Sequence, residues 1–254
     1  MTFGERGRGR DRLLAACGIA GPVVFTAAWL ASSLVQTGHS AGAVQLSGLA
    51  AMDARDPQLM MAGFIGLGAC SVAFGAALRR LPAARSAGPW LVTTAGVATI
   101  AAGVFRRDHL LLTGPGFAGE SWHNQVHDVV SAVAYGAMIA APLVLARSLG
   151  RDPDWAGLRR PLQLLALVSA ASLALFASGA VQPWNAVVQR VAVSLPLAAE
   201  VLIAAWLLAA GRRARPGQRA RPGQRARFSL RARFSRPGRL SRPGRVSPGA
   251  HQAG

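Results

Sequence analysis

Residues 162–181 read LQLLALVSAASLALFASGAV, twenty positions without a charged side chain. An α-helix rises about 1.5 Å per residue and the hydrocarbon core of a bilayer is about 30 Å thick, so roughly 20 apolar residues cross it. The soluble alternative, an outer helix of a buried bundle, needs a continuous polar stripe facing water. This stretch has no such stripe, and neither has Leu13–Val35.

Working outward, four further runs have the same character: Leu59–Leu78, Trp90–Phe105, Val129–Ala146 and Val191–Ala210. Trp90–Phe105 is short and borrows Ala87–Pro89 at its start. The expected fold is therefore all-α, an integral membrane bundle of six transmembrane helices. Composition agrees: of 254 residues, 52% are hydrophobic and 15% charged, whereas a soluble domain carries about 25% charged residues. Arg6, Arg8, Arg10 and Arg12 precede the first run as they would precede a signal peptide. A signal core is about 7–15 residues, and this run is longer, so a retained span interrupted at Gly21-Pro22 is expected. Cys17 and Cys70 both lie in apolar runs, and neither a disulfide framework nor a metal pair is expected from them.

The net charge of +18 comes from 28 basic residues, all Arg, and 10 acids. Arg in the connections sets the orientation, because basic residues are held on the cytoplasmic side. With the N-terminus inside, the cytoplasmic pieces 1–12, 79–89, 147–161 and 211–254 hold 24 Arg, and the opposite side holds four. Without the last piece the ratio is still 11 to four. Both termini are expected in the cytoplasm, in a multi-pass protein of the cell membrane. The division is 1–12 as a cytoplasmic segment, 13–210 as the six-helix membrane domain and 211–254 as a tail. Trp29, Trp90, Trp122, Trp155 and Trp184 lie near span ends, where interfacial belts form.

Within the spans, Ala95, Thr99 and Gly103 recur every four residues, and Gly63, Gly66, Gly68, Ser71 and Gly75 thin the second span. Small faces of this kind let helices approach closely in lipid. They suit seams within one bundle or a seam between copies, and the oligomeric state stays open.

Chemistry-bearing residues gather on the outer side: His39, His109, His123 and His127 with Asp53, Asp56, Asp108, Glu120 and Asp128. The densest piece is Asp108-His109, a loop with Gly114-Pro115-Gly116, then Glu120 to Asp128. If the fourth span starts near Ser121, His123 and His127 are one turn apart on one face. Two imidazoles so placed can hold a metal such as zinc, with Asp128 as a further ligand or an orienting partner. The catalytic candidates are then Asp108, His123, His127 and Asp128. The competing reading is structural: two His at a helix start anchor a loop, and Asp108 pairs with Arg106 or Arg107. Asn124 follows His123, so the zinc-protease pattern HExxH is not met. Asn185, Gln189 and Arg190 stand toward the same side and would complete a polar pocket with the two His.

Glu200 sits near the middle of the sixth span, four residues after Pro196. A carboxylate at bilayer depth is costly and faces the bundle interior or a water-filled path. It reads either as a proton or cation relay, or as a protonated group bonded to a neighbouring backbone or to the carbonyl that Pro196 frees.

Residues 211–254 hold 13 Arg, no acid, five Pro and seven Gly, and Ala214–Arg219 repeats at once as Ala220–Arg225. Such a composition builds no core, so a disordered tail is expected. Adhesion to anionic lipid head groups follows from the charge. RNA or DNA would meet the same charges, but composition alone names no nucleic acid partner, and an expanded repeat without a role is the simpler account.

The order Phe105-x-x-Asp108, a Gly/Pro-rich loop, Ser121-Trp122-His123-x-x-x-His127-Asp128 and an apolar span ending at Arg147 resembles the bacterial and archaeal membrane proteins of the domain-of-unknown-function 998 family. So does Leu46–Ala50, followed by Asp56-Pro57 and a Gly-rich second span. The resemblance covers about residues 13–210 and leaves the tail outside. It implies a compact bundle of six spans in the cell membrane and brings no activity with it. Three function classes stand at this point. One is a non-catalytic membrane or partner-binding protein. The second is a membrane-embedded, metal-dependent hydrolase built on His123, His127 and Asp128. The third is a small proton-coupled transporter using Glu200.

Overall fold

A computed structural model of the chain describes residues 5–37, 40, 42–111 and 120–213. His39, the Gly114-Pro115-Gly116 loop and the tail from Ala214 onward, with its expected disorder, lie outside the described residues. Helices and short 3-10 turns make up the regular structure, and there is no strand among the described residues. The helices are α1 (Glu5–Val35), α2 (Pro57–Leu78), α3 (Gly88–Val104), α4 (Trp122–Leu149), α5 (Arg159–Ser178) and α6 (Asn185–Arg213). Five are long and apolar enough to cross a membrane. The exception is α3, whose 17 residues span about 26 Å. As expected, it recruits Gly88 and Pro89 into its first turn. Two helices run past the apolar stretches they contain: Glu5–Arg12 forms the opening turns of α1, and α6 continues through Arg213. Neither stretch contains a Pro, the residue that breaks a helix outright.

The six helices form a closed ring. Each packs on its neighbours in the chain, α6 returns to α1, and α4 also touches α6. The outside of the ring is apolar. In α5 only Leu162, Ala166 and Ser169 are buried, one stripe at helical spacing, while Leu164 is 63% exposed and Leu167 and Val168 stand out beside it. Water would oppose such a surface and hydrocarbon accepts it. This is the packing of a membrane protein. Trp90, Trp122 and Trp184 are exposed as an interfacial belt requires, but Trp155 is 7% exposed and belongs to the core.

Close helix contact is concentrated between α2 and α3. Gly68 and Gly96 face each other: a Cβ on Gly96 would stand 2.6 Å from the carbonyl oxygen of Gly68, and one on Gly68 would strike that of Gly96. Thr99 and Gly103 are buried along the same side, with Gly103 against Phe64. The small residues thus serve a seam inside the bundle.

Each end of the ring has its own apolar cluster. At one end Phe74, Leu78, Leu145, Leu149, Leu162 and Ile203 pack together. There Arg80 pairs with Asp11, and Trp206 donates its indole N–H to the Asp154 carbonyl at 3.0 Å. The start of α1 and the end of α6 therefore share this end with the α2–α3 and α4–α5 loops. At the opposite end, the segment after α1 folds inward and caps the ring. Its Val44, Leu46, Leu49 and Ala50 pack with Phe25, Met60, Leu67, Val193 and Leu197.

Candidate functional site

A loop buried in this way must find partners for its backbone. Side chains from distant helices supply them. Leu46 N–H donates to Gln189 Oε1 at 2.9 Å, and Arg190 donates to the Val44 carbonyl at 2.9 Å. Arg106 donates to the carbonyls of Ala50 and Ala51, at 3.0 and 2.7 Å. Gln36 accepts from Arg55 N–H and donates to its carbonyl, at 3.0 and 2.6 Å. Gln189 also donates to the Tyr135 hydroxyl at 3.0 Å, and the Arg190 guanidinium lies 5.4 Å from the Trp29 ring centre. Gln189 and Arg190 thus serve the cap loop, and the expected pocket with His123 and His127 is not formed by them. Asn185 is buried beside them.

The Asp108 to Asp128 constellation lies at the same end. Asp108 accepts from the Ser121 hydroxyl at 2.6 Å and from Ser121 N–H at 2.8 Å. The hydroxyl bond first, then the backbone bond, holds the Asp108 carboxyl below its ordinary range. The expected ion pair of Asp108 with Arg106 or Arg107 is absent among the described residues: Arg106 holds the cap loop, and Arg107 lies 3.7 Å from Asp128. Ser121 in turn caps α4, accepting from Asn124 N–H at 3.3 Å in extended conformation, the usual way a hydroxyl satisfies a first-turn amide.

Buried Asn124 ties the loop after α3 to the first turns of α4. Its Oδ1 accepts from Asp108 N–H at 3.2 Å, and its Nδ2 donates to Asp128 at 3.2 Å. His127 is 1% exposed, and its Nδ1 stands 2.7 Å from the Phe105 carbonyl and 3.0 Å from the Ala102 carbonyl. Carbonyls only accept, so Nδ1 carries the proton. His127 thereby caps the C-terminus of α3, where helix carbonyls lack intrahelical partners. His123 stands one turn earlier on the same helix, as expected, but its ring stacks on Trp122 with centroids 3.7 Å apart. His109 is exposed near Asp53, 3.4 Å away, and the other Asp53 oxygen accepts from Leu110 N–H at 2.6 Å. The two rings and the Asp128 carboxylate thus have three different sets of neighbours. Among the described residues no group of three or more His, Cys, Asp or Glu side chains is placed to hold a metal ion.

The second polar locus is inside the ring. Glu200, half-buried on α6, receives the Ser71 hydroxyl of α2 at 3.1 and 3.2 Å from its two oxygens. Both line a cavity of about 30 Å³ with Phe74, Met138, Pro142 and Pro196. That is room for about one water. The carbonyl freed by Pro196 belongs to Ala192, four residues earlier. It accepts from Ser169 of α5 at 2.6 Å, so the alternative partner expected for Glu200 is already engaged elsewhere. Cys17 of α1 and Cys70 of α2 are free thiols.

A family model described as "Protein of unknown function (DUF998)" matches residues 19–213. The chain belongs to this family. The DUF998 match takes in α1 from Ile19 onward and all of the other helices, and ends with α6 at Arg213, leaving the Arg-rich repeats outside. No curated protein and no solved structure matches the chain. The DUF998 resemblance seen in the Ser121 to Asp128 stretch thus rests on residues that join α3 to α4. Two of the residues that organise this end, Asn124 and Gln189, are not marked by residue type. Asn124 has one local signal, its place three residues after a Ser that precedes an apolar run. Nothing local marks the partner of Gln189, which lies 143 residues away.

Proposed function

We propose that this DUF998 protein is a non-catalytic, six-span scaffold or partner-binding protein of the cell membrane, with both termini in the cytoplasm. In this reading 13–210 is the membrane domain, and the tail from 211 onward adheres to anionic head groups. The observation that carries the non-catalytic reading is the use made of the His and Asp groups. His127 holds the end of α3, Asp108 holds the start of α4, and Asp128 pairs with Asn124. A hydrolase would need these groups turned toward a shared point. Elemental analysis of the purified full chain tests it. We expect less than stoichiometric zinc or other transition metal, unchanged in His123→Ala. One metal per chain, lost in His123→Ala or His127→Ala, overturns it. Orientation rests on the Arg asymmetry, and a reporter fused after Gly211 should face the opposite side from one placed in the 106–120 loop.

One observation favours a second reading, the proton-coupled carrier. Glu200 lines a cavity walled by α2, α3, α4 and α6, and two of these helices carry a Pro facing it, Pro142 and Pro196. A carboxylate inside a membrane bundle beside a water-sized cavity is the setting of a proton path.

A further inference from the structure

At the end of the ring where the bundle begins and finishes, the α2–α3 and α4–α5 loops enclose an open groove of about 500 Å³. Its lining includes Pro82, Arg85, Ser148, Arg151, Asp152 and Pro153. We propose that this groove binds the phosphate of an anionic glycerophospholipid through Arg85 and Arg151. The inference rests on the membrane-spanning fold and is independent of whether the protein is a scaffold or a carrier.

Three observations support it. The first is that the groove is held open by its own loops. Pro82 starts a short 3-10 turn, Pro82–Ala84, and Arg85 follows it directly. Ser86 donates to Ser148 at 3.2 Å, binding this loop to the last turn of α4. On the other wall, Asp152 N–H donates to the Leu149 carbonyl at 2.9 Å, and Asp152 Oδ1 accepts from Asp154 N–H at 3.0 Å. The backbones carrying both Arg are therefore set before any ligand arrives.

The second is that the two guanidinium groups are uncommitted. Neighbouring Arg79 lies 4.6 Å from the Trp90 ring centre and donates to Thr93, and Arg80 pairs with Asp11. Arg85 and Arg151 are exposed, and their guanidinium groups make no hydrogen bond or ion pair among the described residues. A guanidinium presents a planar fork of donors that matches a phosphate, and two of them oppose the single Asp152 carboxylate.

The third is position. The groove lies just beyond Leu78 and Leu149, where α2 and α4 end. Nearby Trp90 is 62% exposed beneath the Arg79 guanidinium, the setting of an interfacial anchor. The lining is thus at the depth of lipid phosphates. The two loops, residues 79–89 and 147–161, hold seven Arg against two acids. That excess favours a head group with net negative charge over a zwitterionic one.

The test uses the purified full chain in detergent. An anionic phosphatidylglycerol, a zwitterionic phosphatidylcholine and inorganic phosphate are titrated, with bound lipid read by native mass spectrometry. Arg85→Gln/Arg151→Gln is compared with Arg219→Gln/Arg225→Gln, which removes the same charge from the tail. The anionic lipid should bind the groove variant roughly thirtyfold more weakly than wild type and the tail variant nearly as well as wild type. Asp152→Asn, which keeps the Oδ1 acceptor, should tighten anionic lipid binding. It serves as a gain-of-affinity check should the double variant fold poorly. Equal losses in the two double variants would show a diffuse charge effect and overturn the site. So would unchanged binding in the groove variant. Competition by inorganic phosphate at equal concentration, or equal binding of phosphatidylcholine, would overturn the assignment to an anionic lipid.

Discussion

Ser169 of α5 donates its hydroxyl to the carbonyl of Ala192 of α6 at 2.6 Å, and both are buried. That carbonyl would meet the N–H of residue 196 in an uninterrupted helix, but Pro196 has none. A neighbouring Ser re-satisfies the freed group, one of the ways membrane helices tolerate Pro. Ser169→Ala should lower thermal stability in detergent by about 1–2 kcal/mol. In a Pro196→Ala background, where the N–H returns, the same change should cost much less. Equal losses in both backgrounds would show that the proline is not the reason for the bond.

His127 closes the end of α3 from within α4. His127→Ala leaves the Phe105 and Ala102 carbonyls without their donor and opens a cavity, so a loss of about 2–4 kcal/mol is expected. His123→Ala, which removes only a ring stacked on exposed Trp122, should change stability far less. Thermal unfolding of the two variants side by side distinguishes a structural role for His127 from a shared role for both rings.

The Asp108 to Ser121 link sets a pH dependence. The folded-state pKa of Asp108 is depressed below 3.8, first by the Ser121 hydroxyl and then by its N–H. A depressed value means that the link contributes stability above the unfolded-state pKa and loses it as pH falls through the folded-state value. Wild type should therefore exceed Asp108→Asn in stability near neutral pH. The gap should narrow as pH falls below 3.8. A gap that persists unchanged into strong acid would show that ionisation of Asp108 is not what stabilises the joint.

Gly96→Ala should separate α2 from α3. The new Cβ would lie 2.6 Å from the Gly68 carbonyl oxygen, and backbone on both sides leaves nothing flexible to yield. A loss of about 1–3 kcal/mol is expected. Gly136→Ala is the control, because a Cβ there meets nothing within 4 Å. Its stability should hold or rise, since Ala favours the helix. Similar losses at both positions would point to propensity rather than to the seam.

The carrier reading makes its own prediction. If Glu200 passes protons, Glu200→Gln should abolish a pH-driven flux in proteoliposomes while the protein stays folded, because Gln can still accept from Ser71. Absence of flux in wild type across a broad substrate panel would leave the scaffold reading ahead.

Hydropathy was enough to determine where the helices of this protein lie. Every apolar run falls on one helix, from Leu59–Leu78 on α2 to Leu162–Val181 on α5, though α1, α4 and α6 start well before theirs, and the Ser121 to Asp128 stretch carried the family. This legibility has a physical cause. In lipid each span must satisfy its backbone within itself, so local length and apolarity decide where helices form. Tertiary structure alone decided which polar atoms meet. Ser71 and Glu200 are 129 residues apart, and Leu46 and Gln189 are 143. Neither pairing leaves a periodic trace in the chain. The burial of residues 44–50 as a cap was equally hidden, because its backbone is satisfied by Gln189, Arg190 and Arg106 from other elements. His123 and His127 shared a helix as their spacing required. Their neighbours were set by the fold: Trp122 beside one ring, and the end of α3 against the other.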